Sequence, residues 1–309
     1  MGRRYFPYAQ AVCGERALIA TSDQPDLPAL SKSLGAFVRK AVSFPAGTTV
    51  VRYGEDPTRV NYVLVREEGK NRVVLAVGAP RTLAQLVDAV AVTRPAVLDD
   101  GESVLEPAHV LASQLVQDVG DTIVELLGSF SGSAPPSVFV TGHSMGGSIA
   151  ALTALYLLDP LRTARPDVLV RGWAFGPLPF VSPSYAQLPI VSETLITVVM
   201  EEDLLPRASA PSVAARITLP LLALLDSPSL TGSLRLGDIS ASARALLSLP
   251  PPQSQTSPLV VGGTVIVLPP QGGIPPVFGE GATLGAGLKL SPNMLGSHLS
   301  QSYARRLQL

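Results

Sequence analysis

Between residues 137 and 154 the chain reads SVFVTGHSMGGSIAALTA, and Gly142, Ser144 and Gly146 stand there at G-x-S-x-G spacing. Apolar, β-prone residues run up to Gly142 and a helical pattern runs away from Gly146, so the serine falls on a turn from strand to helix. Such a turn lifts the hydroxyl clear of the sheet edge. The chain closes up on either side only where the positions two before and two after carry no side chain. The same turn sets the backbone N–H of Met145 at a helix N-terminus, where it can donate to an oxyanion. The chemistry on offer is attack by Ser144 on a carbonyl carbon.

Near neutral pH a serine hydroxyl needs a base, and the base needs an orienting carboxylate. The sequence holds three histidines. His143 adjoins Ser144 on the turn, so its side chain should diverge from the hydroxyl. His109 falls within an amphipathic stretch and reads as a packing or surface residue. His298 lies in a loop before a final short helix, after every expected strand, and is the expected base. For the acid, the run TLITVVM leads into Glu201, Glu202 and Asp203, which compete. Pro206 fixes a turn just beyond Asp203, whereas the glutamates read as a solvated strand end, so Asp203 is the expected acid. Nucleophile, acid and base then follow the chain order of the α/β-hydrolases.

The elements that must position these residues are visible as periodicities. Leu30, Leu34, Phe37, Val38 and Ala41 recur at helical spacing, and strands follow at 60–65 and 73–77. After Pro107, Leu111, Leu115, Val119, Ile123 and Leu126 mark a long amphipathic helix. Further strands are expected at 167–175 and 193–200. The alternation implies a mostly parallel sheet with crossover helices over residues 30–205. Beyond Pro206 the pattern loosens, with an edge strand or hairpin expected among the prolines of 260–279 and a helix over 299–307. The whole of 1–309 therefore reads as one domain, with 208–294 a loop-rich insertion or flap within it.

Composition narrows the function. Of 309 residues 46% are hydrophobic and 15% charged, enough apolar side chain for a large core and too little charge for a disordered chain. Lys and Arg number 23 against 24 Asp and Glu, a net charge of -1 with no basic run, which excludes non-specific nucleic-acid binding. Cys13 is the single cysteine, so no intrachain disulfide is expected, and no close histidine pair suggests zinc. No metal or cofactor is expected. The stretch after Arg3 and Arg4 lacks an apolar core, so no cleaved signal is expected. Pro, Gly, Ser and Gln interrupt the two long uncharged windows before a membrane span is reached. The expected location is the cytoplasm, or outside the cell without a cleavable signal.

VFVTGHSMGGSIAALTAL, FGPLPFVS at 175–182, VVMEEDLLPRAS at 198–209, and His298 with Tyr303 in H-x-x-x-x-Y together resemble the blocks of the class 3, fungal-type lipases. The D-x-x-P-R and FGPLPFVS blocks are most similar to the diacylglycerol-lipase branch. The resemblance implies an α/β-hydrolase fold and a serine ester hydrolase acting on acylglycerols, with Ser144, Asp203 and His298 as its triad. A phospholipase A1 or a small-ester esterase would use the same triad. One block departs from the family. Where members carry R-G-T or R-G-S after the strand at 73–77, this chain has Val77, Gly78 and Ala79. By resemblance the Ala79 N–H is the second oxyanion donor beside Met145, but the side-chain hydroxyl is absent. That loss admits a weakly active relative that binds lipid or a partner instead. The family's lid follows the oxyanion residue, and Leu83, Leu86, Val87 and Val90 share one face of a helix that Thr82 can cap. Residues 82–92 are thus the expected lid, implying transient contact with a lipid surface, although an ordinary helix packed on the sheet has the same pattern.

Overall fold

The computed structural model describes residues 4–10, 12, 48–54, 60–78, 95–131, 134–203, 205–207, 259–269, 277–280 and 300–307. The expected helix at 30–41, the lid at 82–92, Ala79, His298 and residues 208–258 lie outside them.

Strands β1 (Thr48–Gly54), β2 (Tyr62–Glu67) and β3 (Arg72–Val77) are an antiparallel meander. A two-stranded ribbon of its own, β4 (Pro95–Val97) with β5 (Ser103–Leu105), follows in the chain. From β3 the main sheet runs parallel through β6 (Ser137–His143), β7 (Leu169–Phe175), β8 (Leu195–Met200) and β9 (Thr264–Leu268). Strand β10 (Val277–Glu280) turns back antiparallel along β9. Among the described residues the main sheet thus has eight strands, in the order β1-β2-β3-β6-β7-β8-β9-β10. Every residue of β6 is buried, which is why Val138, Phe139 and Val140 stand consecutively rather than in alternation with polar residues. The expected strands at 60–65, 73–77, 167–175 and 193–200 fall on β2, β3, β7 and β8.

The edge strand or hairpin expected among the prolines of 260–279 falls on β9 and β10, which form the far edge of the sheet. Because β9 pairs in parallel with β8, the sheet reaches past the 30–205 expected for it. An edge strand needs neither length nor an unbroken apolar run, which is how so short and Pro-flanked a segment can serve.

Helices cover both faces. One face carries α2 (Glu106–Gly128), into which β5 leads, then α3 (Met145–Tyr156) and α4 (Leu158–Ala164). Pro107 opens α2, where its missing N–H costs nothing, and Ala108, Ala112, Leu115, Val119, Ile123 and Leu127 form the buried stripe that the 3.6-residue period demands. Helix α3 is buried along almost all its length and stays close to the sheet through small residues. A Cβ on Gly172 would stand 3.0 Å from the Ala154 Cβ. Two short helices, α5 (Pro183–Ala186) and α6 (Pro189–Thr194), link β7 to β8.

The opposite face carries the helical residues 4–10, here α1, together with α7 (Ser300–Leu307). Tyr5, Phe6, Tyr8, Tyr303 and Leu307 join Phe139, Trp173, Phe175, Val198 and Met200 in a second core. A polar clamp fixes α1: Tyr8 donates to Glu67 Oε1 at 2.6 Å and Arg4 to Oε2 at 2.6 Å, with Arg72 at 3.3 Å. Burial disfavours the Glu67 carboxylate, but the Tyr8 and Arg4 hydrogen bonds and the Arg4 and Arg72 charges outweigh it and hold its pKa below the usual range.

Candidate active site

Ser144 sits between the last residue of β6 and the first turn of α3, at φ 60° and ψ −132°. Among the described residues only Asn71 is also a non-glycine residue with positive φ. A side chain at this position costs about 1–3 kcal/mol in backbone strain, which the surrounding structure must offset. It does so at both ends of the turn. The Ser144 N–H donates to the Phe175 carbonyl at 2.9 Å, and the Ser144 carbonyl accepts from the Gly147 N–H at 2.8 Å. The hydroxyl makes no capping bond to α3.

The flanking glycines are steric necessities. A Cβ on Gly142 would lie 2.1 Å from the Gly146 carbonyl oxygen, and one on Gly146 would lie 2.6 Å from the Val77 oxygen and 2.7 Å from the Gly78 carbonyl carbon. The elbow and the exit of β3 therefore touch backbone to backbone. That contact sets Gly78, the residue before Ala79, beside the start of α3. The Met145 N–H occupies the first helical position, outside the helix's own hydrogen-bond ladder and at its positive end.

Asp203 follows β8 and is fully buried. Its N–H donates to the Met200 carbonyl at 3.0 Å, and its Oδ1 accepts from the Leu205 N–H at 3.1 Å, so its side chain caps the turn that leads into Pro206. Arg207 closes the loop, donating from Nη1 to the carbonyls of Glu201 at 2.6 Å and Asp203 at 3.3 Å. The other oxygen, Oδ2, accepts from the Tyr303 hydroxyl at 2.7 Å, and that hydroxyl accepts from the Met200 N–H at 3.1 Å. Burial above all, then the neighbouring Asp203 charge, raises the Tyr303 pKa well above its ordinary value. The phenol is therefore a proton donor throughout the working range. Glu201 is exposed and Glu202 half-buried.

Both halves of the site thus meet at the C-terminal ends of β6, β7 and β8, where α/β sheets place their ligands. Residues 83–213 match the family model of the class 3 lipases, a stretch that holds both Ser144 and Asp203. Among curated proteins no sequence matches. The solved structures similar to it include three lipases. A fungal lipase aligns with a TM-score of 0.56 and 15% identity over 95% of this chain and 92% of that one. A mutant form of MDLA from Penicillium cyclopium gives 0.53 and 16% over 95% and 92%. A triacylglycerol lipase whose catalytic centre is a serine protease triad gives 0.50 and 14% over 86% and 78%. The fold is that of the α/β-hydrolases. With the class 3 lipase match spanning Ser144 and Asp203, the chain is a serine ester hydrolase.

In this hydrolase the histidine beside Ser144 lies in the second core: His143 is buried, with its ring edge-on to Tyr303 at 5.3 Å and to Phe6 at 6.2 Å. His109 bonds through Nδ1 to the Tyr156 hydroxyl at 2.8 Å and joins α2 to α3. Two residues of the site escaped the sequence reading. Gly176, in the FGPLPFVS block, holds φ +51°, and a Cβ there would lie 2.7 Å from the Tyr303 oxygen and 2.9 Å from Asp203 Oδ2. The spacing of Tyr303 from His298 does not tell which carboxylate the phenol reaches, and the bond to Asp203 appears only in the fold. Among the described residues no group of three His, Cys, Asp or Glu could hold a metal ion, and no helix is long and apolar enough to cross a membrane.

Proposed function

We propose that this hydrolase cleaves acylglycerols through a Ser144, His298 and Asp203 triad, as in the diacylglycerol-lipase branch. The observation that carries the reading is the strained elbow, because a non-glycine residue at φ 60° persists only where its neighbours over-determine it. His298 takes the Ser144 proton as Oγ attacks the ester carbonyl. The Met145 and Ala79 N–H groups receive the oxyanion. Collapse of the tetrahedral intermediate expels the alcohol, which leaves with the proton from His298, and water then releases the acid by the same route in reverse. Asp203 orients the imidazole and stabilises its charged form.

Residues 82–92 are the proposed lid. An apolar helix face that covers an apolar cleft in water is released at a lipid surface only through the difference in burial between the two states. The two open assignments share one experiment, a hydrolysis screen across acyl length and head group run beside fluorophosphonate labelling of Ser144. Labelling that Ser144→Ala abolishes, with turnover strongest on mono- or diacylglycerols, is the expected result. Labelling without acylglycerol turnover would move the substrate to another ester class, and no labelling would refute the triad. Rate should jump as a short-chain triglyceride passes its solubility limit, whereas smooth saturation unchanged by Leu86→Ser would remove the lid.

A further inference from the structure

Beneath the elbow, four rings from four separate stretches of chain form a closed cluster. Phe6 of α1 meets Phe175 edge-on at 4.9 Å, stacks on Tyr303 at 6.0 Å and meets His143 edge-on at 6.2 Å, while His143 and Tyr303 are 5.3 Å apart. Phe6 itself is wholly buried. Each partner carries one piece of the site in its backbone or side chain. His143 immediately precedes Ser144, the Phe175 carbonyl holds the Ser144 N–H, and the Tyr303 hydroxyl holds Asp203.

A second contact comes from the same segment. A Cβ built on Gly78 would lie 2.8 Å from Cγ1 of Val12, so Val12 packs on the exit of β3 that leads to Ala79. Phe6 and Val12 thus touch the nucleophile's turn, the acid's anchor and the strand that leads to the proposed oxyanion donor. Glu67 locks the segment in place through Tyr8 and Arg4.

We infer that Phe6 is a positioning residue for hydrolysis: by filling the space between His143, Phe175 and Tyr303 it fixes the nucleophile elbow and the acid relative to one another. The inference rests on the proposed triad, since it assumes that Ser144 and Asp203 act together. Phe6 is wholly buried and carries no group of the proposed triad, so truncating it acts by freeing the three rings to shift. Displacements of about 1 Å at reacting groups cost up to about a hundredfold in rate.

The test compares the full chain with its Phe6→Ala, Phe6→Leu and Tyr5→Ala variants, reading kcat and KM on a soluble short-chain ester and the rate of Ser144 labelling by a fluorophosphonate. Tyr5 is the control from the same helix: it is just as buried, but it stacks on Phe139 at 4.6 Å and Trp173 at 5.5 Å instead of on the elbow. Phe6→Ala should lower kcat and labelling about tenfold or more with KM nearly unchanged. Phe6→Leu should recover most of the loss. Tyr5→Ala should melt earlier yet label at the wild-type rate once compared at equal folded fraction. Equal labelling in Phe6→Ala and wild type would overturn the inference, as would an equal loss in Tyr5→Ala. Should Phe6→Ala fail to fold, Phe6→Val takes its place, and wild-type kcat and labelling in that variant would overturn the inference too. A wild-type chain that does not label at all refutes the triad itself, and the inference falls with it, whereas a labelled wild type and an equally labelled Phe6→Ala refute only the role of Phe6.

Discussion

Tyr303 donates its phenol proton to Oδ2 of Asp203 at 2.7 Å, from a residue 100 positions further along the chain. The phenol oxygen in turn accepts the Met200 N–H, so one side chain ties the acid to the end of β8. Tyr303→Phe deletes both bonds while keeping the ring. A buried carboxylate oxygen and a buried N–H are then left without that partner, at about 1–3 kcal/mol. Chemical denaturation should show that loss as a lower midpoint, and kcat should fall more than KM changes. An unchanged midpoint would mean that water replaces the phenol.

Strain at Ser144 gives a prediction of opposite sign for stability and activity. Ser144→Gly removes the Cβ from a backbone that disfavours it, a relief of about 1–3 kcal/mol, less about 0.5–1 kcal/mol for the added freedom of the unfolded chain. The variant should melt at a higher temperature than wild type and hydrolyse nothing. Calorimetry that finds it less stable would show that the turn holds no strain.

Burial separates the competing carboxylates. Asp203→Asn should lower kcat by orders of magnitude, because the orienting acceptor of the base is lost. Glu201→Gln and Glu202→Gln, on an exposed and a half-buried side chain, should stay within about threefold of wild type. Steady-state kinetics in which Glu202→Gln matches Asp203→Asn would transfer the role of acid to Glu202.

Glu67 couples the N-terminal helix to pH. Its folded pKa lies below the ordinary value of 4.5, so the folded state binds fewer protons there than the unfolded state does. The stability it confers is complete above about pH 4.5 and is lost as pH falls through the lower folded value. Thermal midpoints measured downward from pH 6 should therefore drop more steeply for wild type than for Glu67→Gln. Parallel curves would show that the clamp contributes no proton linkage.

Local chemistry explains which features were legible in the sequence. G-x-S-x-G could be read because the steric demand at Gly142 and Gly146 comes from neighbours a few residues away, and Asp203 could be read because Pro206 shapes its turn. The helix after Pro107 announced itself through its apolar period. Residues 4–10 did not. Their Tyr, Phe and Tyr meet a sheet built from distant strands, and a single turn or two of helix offers too short a period to recognise. The same holds for the pairing of β9 with β8, which lies beyond a long stretch of intervening chain, and for Gly176, whose missing side chain makes room for a tyrosine more than a hundred residues away. Contacts of long sequence separation leave no local mark.

The ring cluster beneath Ser144 draws on Phe6 and Tyr303, which synthesis makes far apart in time. When the elbow emerges from the ribosome, the phenol that holds Asp203 does not yet exist. Non-local closure of this kind is slow, because the entropy of joining remote segments is spent before their contacts form. A nascent chain therefore carries its nucleophile for most of translation without the assembled floor that sets it against the acid. With the proposed triad, hydrolysis waits for the docking of α7, because until then Asp203 lacks the phenol that anchors it.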